Sequence, residues 1–231
     1  MLITIPLFDR FTALDAVGPY EVLSRLPGAE VVFVAEQAGP VHTDTRALTL
    51  VADRALADVD ACDVVVVPGG PGTRAMLEPQ PLHDWLRAID ATTRWTTSVC
   101  TGALLLGAAG LLDGLEATTH WSAFDTLASL GARPVERRVV PQRKSVGQGP
   151  TPSRGGGRGS GWMVTAAGVS AGIDMALWLA AQIAGDEVAK AIQLGIEYDP
   201  QPPFDSGSIA KASAETKELV RLATASRPTT P

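Results

Sequence analysis

Residues 63–72 read DVVVVPGGPG. The four valines form an apolar run of strand length, and the proline and glycines that follow end the strand. An apolar strand with no polar alternation is buried on both faces, which is typical of a parallel sheet covered by helices. This stretch therefore predicts a central strand of an α/β fold, with a tight loop at its carboxyl end.

Strand-like and helix-like stretches alternate on both sides of this segment. The other predicted strands are Leu2–Leu7, Glu30–Ala35 and Trp95–Val99. The predicted helices are 14–26, 79–93, 101–112, 121–131 and 171–198. This alternation favours a single-domain α/β fold with a doubly wound, mostly parallel sheet and helices on both faces, as in flavodoxin-like proteins.

The composition limits the possible classes of protein. The chain has 231 residues, of which 45% are hydrophobic, and a net charge of −6. This is enough for one buried core, and the negative charge argues against nucleic acid or an anionic membrane surface as a partner. We find neither an apolar run of membrane-spanning length nor the basic N-terminal region of a signal peptide, so we expect a cytoplasmic protein without membrane attachment.

Two segments depart from the alternating pattern. Residues 141–161 (PQRKSVGQGPTPSRGGGRGSG) are rich in glycine and basic residues and have little apolar surface to bury, which predicts a flexible insert. The proline-rich tail is predicted to contain one amphipathic helix, 212–225. We therefore expect an α/β domain over residues 1–210, and a C-terminal helix and tail over 211–231.

The chain has two cysteines, Cys62 and Cys100. Neither has the CxxC or histidine neighbours of a metal site, so no metal is predicted. Cys100 lies at a predicted strand-to-helix junction, followed by the small residues Gly102 and Ala103, where the helix N-terminus would favour the thiolate. On this evidence Cys100 is either a nucleophile or a small buried hydrophobe, whereas Cys62, at the start of an apolar strand, is interpreted as structural.

The loop after the valine strand is a second candidate for the site. Gly69 and Gly70 let the backbone approach a ligand and direct an N–H at it. Together with the Thr101 N–H, this loop could form a pair of donors resembling an oxyanion hole. A loop of this composition is also common as a simple tight turn.

Four short motifs carry a family resemblance. They are LDAVGP (14–19), VVVPGG (65–70), SVCTG (98–102) and ATTHW (117–121). Together they resemble the ThiJ/PfpI superfamily, which has a class I glutamine-amidotransferase-like fold, and within it the isocyanide hydratase branch. The similarity covers about residues 1–140 and 162–210. Sensor domains of AraC-type regulators carry nearly the same motifs.

The resemblance implies a role for particular residues. Cys100 would be the nucleophile, and Asp15 the carboxylate that lies against its sulfur and handles the proton. Thr101 stands where protease-like relatives have a histidine, which weakens a peptidase interpretation. Gly70 and His120 would contact the substrate, although His120 could equally be a hydrogen-bonded structural group.

The implied activity is hydration of an isocyanide to an N-substituted formamide through a thioimidate on the cysteine. It would require no metal, nucleotide or redox cofactor, and the enzyme would be a homodimer. Two alternatives stay open. One is a different cysteine-dependent activity, glyoxalase-like or amidase-like, and the other is a non-catalytic ligand-sensing domain.

Overall fold

A computed structural model describes residues 1–144 and 161–225 of the chain. The strands are β1 (Leu2–Pro6), β2 (Glu30–Ala35), β3 (Gly39–His42), β4 (Thr49–Ala52), β5 (Arg54–Ala55), β6 (Val64–Val67), β7 (Trp95–Val99), β8 (Glu116–Ala117), β9 (Arg133–Pro134), β10 (Val139–Arg143) and β11 (Trp162–Ala166). The α-helices are α1 (Ala13–Leu23), α2 (Pro81–Asp90), α3 (Gly102–Ala108), α4 (Phe124–Ser129), α5 (Ala171–Ala184), α6 (Asp186–Gly195) and α7 (Ala214–Ala225).

The central sheet has seven strands in the order β10-β11-β7-β6-β1-β2-β5. Its pairs are parallel except β10 with β11, which is antiparallel. Helices α1 and α5 pack together on one face, and α2 and α3 pack together on the other. The predicted fold class, a doubly wound and mostly parallel α/β sheet, is confirmed. The winding direction reverses between β1 and β6, which is where open α/β sheets form ligand crevices.

The middle of the sheet is buried on both faces, as the valine run predicted. All four residues of β6 and all five of β7 are buried. Because β7 carries Thr96, Thr97 and Ser98 as well as apolar residues, periodicity alone did not predict this burial. Thr97 satisfies its hydroxyl by donating to the carbonyl of Val65 on the neighbouring strand, at 2.9 Å.

Several predicted helices are shorter than expected. The helix predicted over 101–112 ends at Ala108, and the one predicted over 171–198 divides at Gly185 into α5 and α6. The β3–β4 hairpin and the two-residue strands β8 and β9 were not predicted, because such short pieces leave too little periodicity to detect.

The predicted insert begins too early. Residues 141–143 complete β10 and pair with β11, and the Lys144 ammonium lies 2.5 Å from Asp90 Oδ1 with both side chains less than one-fifth exposed. The same ammonium donates to the hydroxyls of Thr93 and Thr96. Residues 141–144 are therefore part of the folded unit, whereas 145–160 lie outside the described residues.

The chain divides into two compact units, Met1–Ile196 and a second unit from Glu197 onward. The domain boundary expected after residue 210 differs from this division, which falls after Ile196; residues 199–208 are exposed, the aromatic ring of Phe204 included. In the second unit Ser213 caps α7, since its Oγ accepts from the Thr216 N–H at 3.1 Å. No helix in the described part of the chain is long and apolar enough to span a membrane.

Candidate active site

Cys100 occupies a strained turn between β7 and α3. Its φ is +56°, a left-handed conformation that residues with a side chain rarely adopt. The Cys100 N–H is shared between the carbonyls of Ala166 and Ala167, at 3.1 and 3.0 Å. The turn is also tight, since a Cβ at Gly102 would lie 2.1 Å from the Val67 carbonyl oxygen. The local geometry is that of a nucleophile elbow, with the side chain at the carboxyl edge of the sheet.

Asp15 is brought to Cys100 across 84 intervening positions. It lies in the first turn of α1 and is fully buried. One carboxyl oxygen, Oδ2, accepts a hydrogen bond from the Gly69 N–H at 2.9 Å. The other, Oδ1, has no hydrogen-bond partner among the described residues, and the carboxyl lies close enough to the Cys100 thiol for each group to shift the pKa of the other.

The protonation of this pair is set mainly by burial. Burial raises the pKa of Asp15 from 3.8 to about 7, against the opposing hydrogen bonds from Gly69 and Cys100. Burial and the charge of Asp15 raise the pKa of the Cys100 thiol to about 12. The N–H groups of Val169 and Thr101 interact with the sulfur and favour the thiolate, but by less than burial disfavours it. The backbone at the helix N-terminus thus favours the thiolate, but burial has the larger effect on the pKa of the thiol.

Gly70 and Thr101 lie together but do not form the expected pair of free donors. The Gly70 N–H donates to Thr101 Oγ1 at 2.8 Å, and the same hydroxyl donates to the Gly70 carbonyl at 3.2 Å. The Thr101 N–H interacts with the Cys100 sulfur instead. The Thr101 hydroxyl occupies the Gly70 N–H and shares the Gly70 carbonyl with the Thr73 hydroxyl, which donates to it at 2.8 Å, so Thr101 fixes the loop after β6 against the elbow.

His120 lies beside the loop that follows β11. Its Nδ1 is 2.8 Å from Ser122 Oγ, and its ring packs on Gly168, where a Cβ would lie 2.7 Å from the ring. Burial and the charge of Arg74 lower the pKa of His120, which favours the neutral imidazole. The His120 ring therefore contacts Gly168, and the next residue along the chain, Val169, directs its N–H at the Cys100 sulfur.

Two groups at the elbow were missed by the sequence analysis. The first is the Val169 N–H, since a backbone donor leaves no signal in residue type. The hydroxyl of Thr119 donates to the Cys100 carbonyl at 2.9 Å. Thr119 belongs to the ATTHW motif, in which the resemblance implies a role for His120 and none for the threonines.

Cys62 lies at the other end of the sheet, before β6. It is buried, its sulfur accepts from Thr4 Oγ1 at 3.2 Å, and burial raises its pKa to about 11. This environment fits the structural interpretation. In the described ranges, 1–144 and 161–225, no group of three or more histidine, cysteine, aspartate or glutamate side chains is placed to hold a metal ion.

Two open clefts in the described part of the chain lie away from Cys100. A cleft of about 460 Å³ follows the carboxyl ends of β1 and β2, beside Phe8 and Glu36, and another of about 440 Å³ lies between Arg25 and α6. The Cys100 residue is 5% exposed.

These features define a class of protein: a cysteine on a left-handed elbow, with a buried carboxyl against it, at the carboxyl edge of a doubly wound sheet. The model of the DJ-1/PfpI family matches residues 1–155, and the chain belongs to this family.

Within the family, the chain is 43% identical to isonitrile hydratase of Pseudomonas putida over 202 residues, covering 87% of this chain and 80% of that protein. The crystal structure of a ThiJ/PfpI family protein from Pseudomonas syringae is similar with a TM-score of 0.84 and 34% identity, covering 98% of this chain and 86% of that one. The resemblance indicated by the motifs, including the isocyanide hydratase branch, is confirmed.

A relative of another kind is the HTH-type transcriptional regulator CdhR of Pseudomonas aeruginosa. It is 28% identical over 187 residues, which cover 80% of this chain but half of the regulator. The family therefore includes regulators as well as enzymes.

Proposed function

We propose that the protein hydrates isocyanides, R–N≡C, to N-substituted formamides, R–NH–CHO, with Cys100 as the nucleophile. The observation that carries the proposal is the contact between a nearly buried thiol and a buried carboxyl whose pKa is raised to about 7. The identity to isonitrile hydratase, isonitrile being another word for isocyanide, supports this substrate class. The isocyano group is linear and slender, which suits a thiol that is 5% exposed.

In the first step the sulfur of Cys100 attacks the electrophilic isocyano carbon. The thiol proton passes to the Asp15 carboxylate as the S–C bond forms, and from there to the same carbon, giving the thioimidate R–N=CH–S–Cys100. A carboxyl with a pKa near neutrality can both accept and return this proton. The N–H groups of Thr101 and Val169 stabilise negative charge on the sulfur during the attack.

In the second step water adds to the thioimidate carbon. Asp15 takes a proton from the water and delivers it to the imine nitrogen, so that the carbon then carries a hydroxyl, the N–H and the sulfur. Collapse of this adduct breaks the C–S bond, the hydroxyl proton passes through Asp15 to the departing sulfur, and R–NH–CHO is released with the thiol restored. The overall change is addition of one water to R–N≡C. Substrate binding by Gly70 and His120 belongs to this proposal, with Gly70 acting as part of the loop that Thr101 fixes.

The test is incubation of the purified protein with cyclohexyl isocyanide and measurement of N-cyclohexylformamide by mass spectrometry. We expect turnover by the wild type and by Cys62→Ala, and loss of more than a thousandfold in Cys100→Ala with an unchanged melting temperature. An active Cys100→Ala variant would sink the proposal. The similarity to CdhR supports a second candidate, a ligand-sensing domain, and binding of the isocyanide without any formamide would favour it.

We also propose a cytoplasmic homodimer, as the family resemblance implies. Light scattering after size-exclusion chromatography should give twice the chain mass of 24.1 kDa. A mass equal to that of one chain would contradict the dimer.

A further inference from the structure

The left-handed conformation of Cys100 has to be held by its surroundings. A φ of +56° is unfavourable for a residue with a Cβ, and such conformations persist where neighbouring groups over-determine them. At the elbow both backbone polar groups of Cys100 are held by hydrogen bonds. Its N–H donates to the carbonyls of Ala166 and Ala167, and its carbonyl accepts from the Thr119 hydroxyl at 2.9 Å.

These hydrogen bonds come from two kinds of group. The Cys100 N–H is bonded by backbone carbonyls at the end of β11. The Cys100 carbonyl is bonded by a side chain from a different segment, 118–120, in which Thr119 is fully buried. That segment is itself anchored on the end of the sheet, because the Thr118 N–H donates to Thr165 Oγ1 at 2.9 Å and His120 packs on Gly168. Thr119 therefore connects a fixed segment to the carbonyl of the strained residue.

We infer that Thr119 is a positioning residue, which holds the Cys100 peptide so that the thiol faces Asp15 and the N–H groups of Thr101 and Val169. The inference deepens the proposed function, and its meaning for turnover rests on that function. The effect of Thr119 on the reactivity of the Cys100 thiol does not depend on the proposed function, because the orientation of the sulfur governs its reaction with any electrophile.

The neighbouring threonine offers a matched control. Thr118 is also fully buried, but its hydroxyl has no hydrogen-bond partner among the described residues. Replacing threonine by valine conserves shape and removes only the hydroxyl. Thr119→Val thus removes the hydrogen bond to Cys100, whereas Thr118→Val removes a hydroxyl that bonds to nothing in the described part of the chain. Thr119→Ser keeps the hydroxyl and should rescue.

The experiment measures the rate of carbamidomethylation of Cys100 by iodoacetamide, followed by mass spectrometry in a Cys62→Ala background. We expect about a tenfold slower reaction in Thr119→Val and rates within twofold of the parent in Thr118→Val and Thr119→Ser. With cyclohexyl isocyanide, kcat should fall by a similar factor in Thr119→Val, with KM within twofold, because the reacting sulfur and not the binding surface is disturbed.

Equal rates in the two valine variants would overturn the inference, and so would failure of Thr119→Ser to restore the rate. If Thr119→Val does not fold, Thr119→Ala and Thr119→Ser replace it as a pair that differs by the hydroxyl alone, and equal rates in that pair would also overturn it. If the parent forms no formamide but alkylation still separates the variants as described, the proposed function fails while the positioning role of Thr119 stands.

Discussion

At the scale of single residues, Asp15 links the site to the stability of the fold. A carboxyl titrating at about 7 in the folded chain and near 3.8 in the unfolded chain binds more protons when folded over the interval between these values. Stability therefore falls as pH rises through that interval and levels off above pH 7. The protein carries this cost to keep a buried carboxyl beside Cys100.

Asp15→Asn should remove this dependence. We expect the unfolding free energy of the variant, relative to wild type, to be higher at pH 8 than at pH 5 by about 3 kcal/mol, since stability changes by ~1.4 kcal/mol for each pH unit between pH 5 and the folded pKa of about 7. Urea denaturation at the two pH values measures it, and other titrating groups cancel in the comparison. An identical difference at both pH values would show that Asp15 is ionised in the folded protein throughout.

Gly102 is the residue that permits the elbow. Gly102→Ala would place a Cβ 2.1 Å from the Val67 carbonyl oxygen, which neither backbone can avoid without moving. We expect a loss of about 3 kcal/mol or more in unfolding free energy, together with loss of Cys100 reactivity. The control is Gly195→Ala at the end of α6, where a Cβ meets nothing within 4 Å and should leave stability unchanged or raise it by about 0.5 kcal/mol. Equal melting temperatures for the two variants would contradict this account.

At the scale of elements, the end of β10 is stabilised by the partly buried ion pair of Lys144 and Asp90. Lys144→Ala leaves Asp90 without its cation and the hydroxyls of Thr93 and Thr96 without their donor. We expect a loss of roughly 2 kcal/mol, because breaking a buried pair leaves an uncompensated charge. Lys190→Ala, which breaks an exposed pair with Glu187, should cost less than about 0.5 kcal/mol. Thermal melts measure the stability of the two variants. A Lys144→Ala variant that melts at the wild-type temperature would contradict the stabilising role of this ion pair.

The same elements mark how far sequence reasoning reaches. The valine run of β6 and the strand-to-helix junction at Cys100 were predicted because burial and chain reversal leave strong local signals. The approach of Asp15 to Cys100 came from the family resemblance, since spacing along the chain carries no record of it. The assignment of residues 141–144 to the insert was wrong, because a lysine in a sequence is expected to be solvent-exposed unless its partner, here Asp90, is known. The bond from Thr119 to the Cys100 carbonyl was missed for a similar reason, since it depends on a loop conformation.

At the scale of the whole molecule, the sheet order brings distant segments to one edge. The reversal between β1 and β6 places the start of α1, the loop after β6 and the elbow after β7 side by side. Asp15, Gly69 and Cys100 come from these three places. The site is thus a product of topology, and the β11 loop completes it with the Val169 N–H.

The central claim is that Cys100 forms a covalent thioimidate with an isocyanide, and mass spectrometry of the acid-quenched protein tests it most directly. During turnover of cyclohexyl isocyanide, the account predicts a fraction of the chain heavier by one isocyanide, with the added mass on the peptide containing Cys100 and absent from Cys100→Ala. An added mass on Cys62, or formamide production by Cys100→Ala, would contradict it.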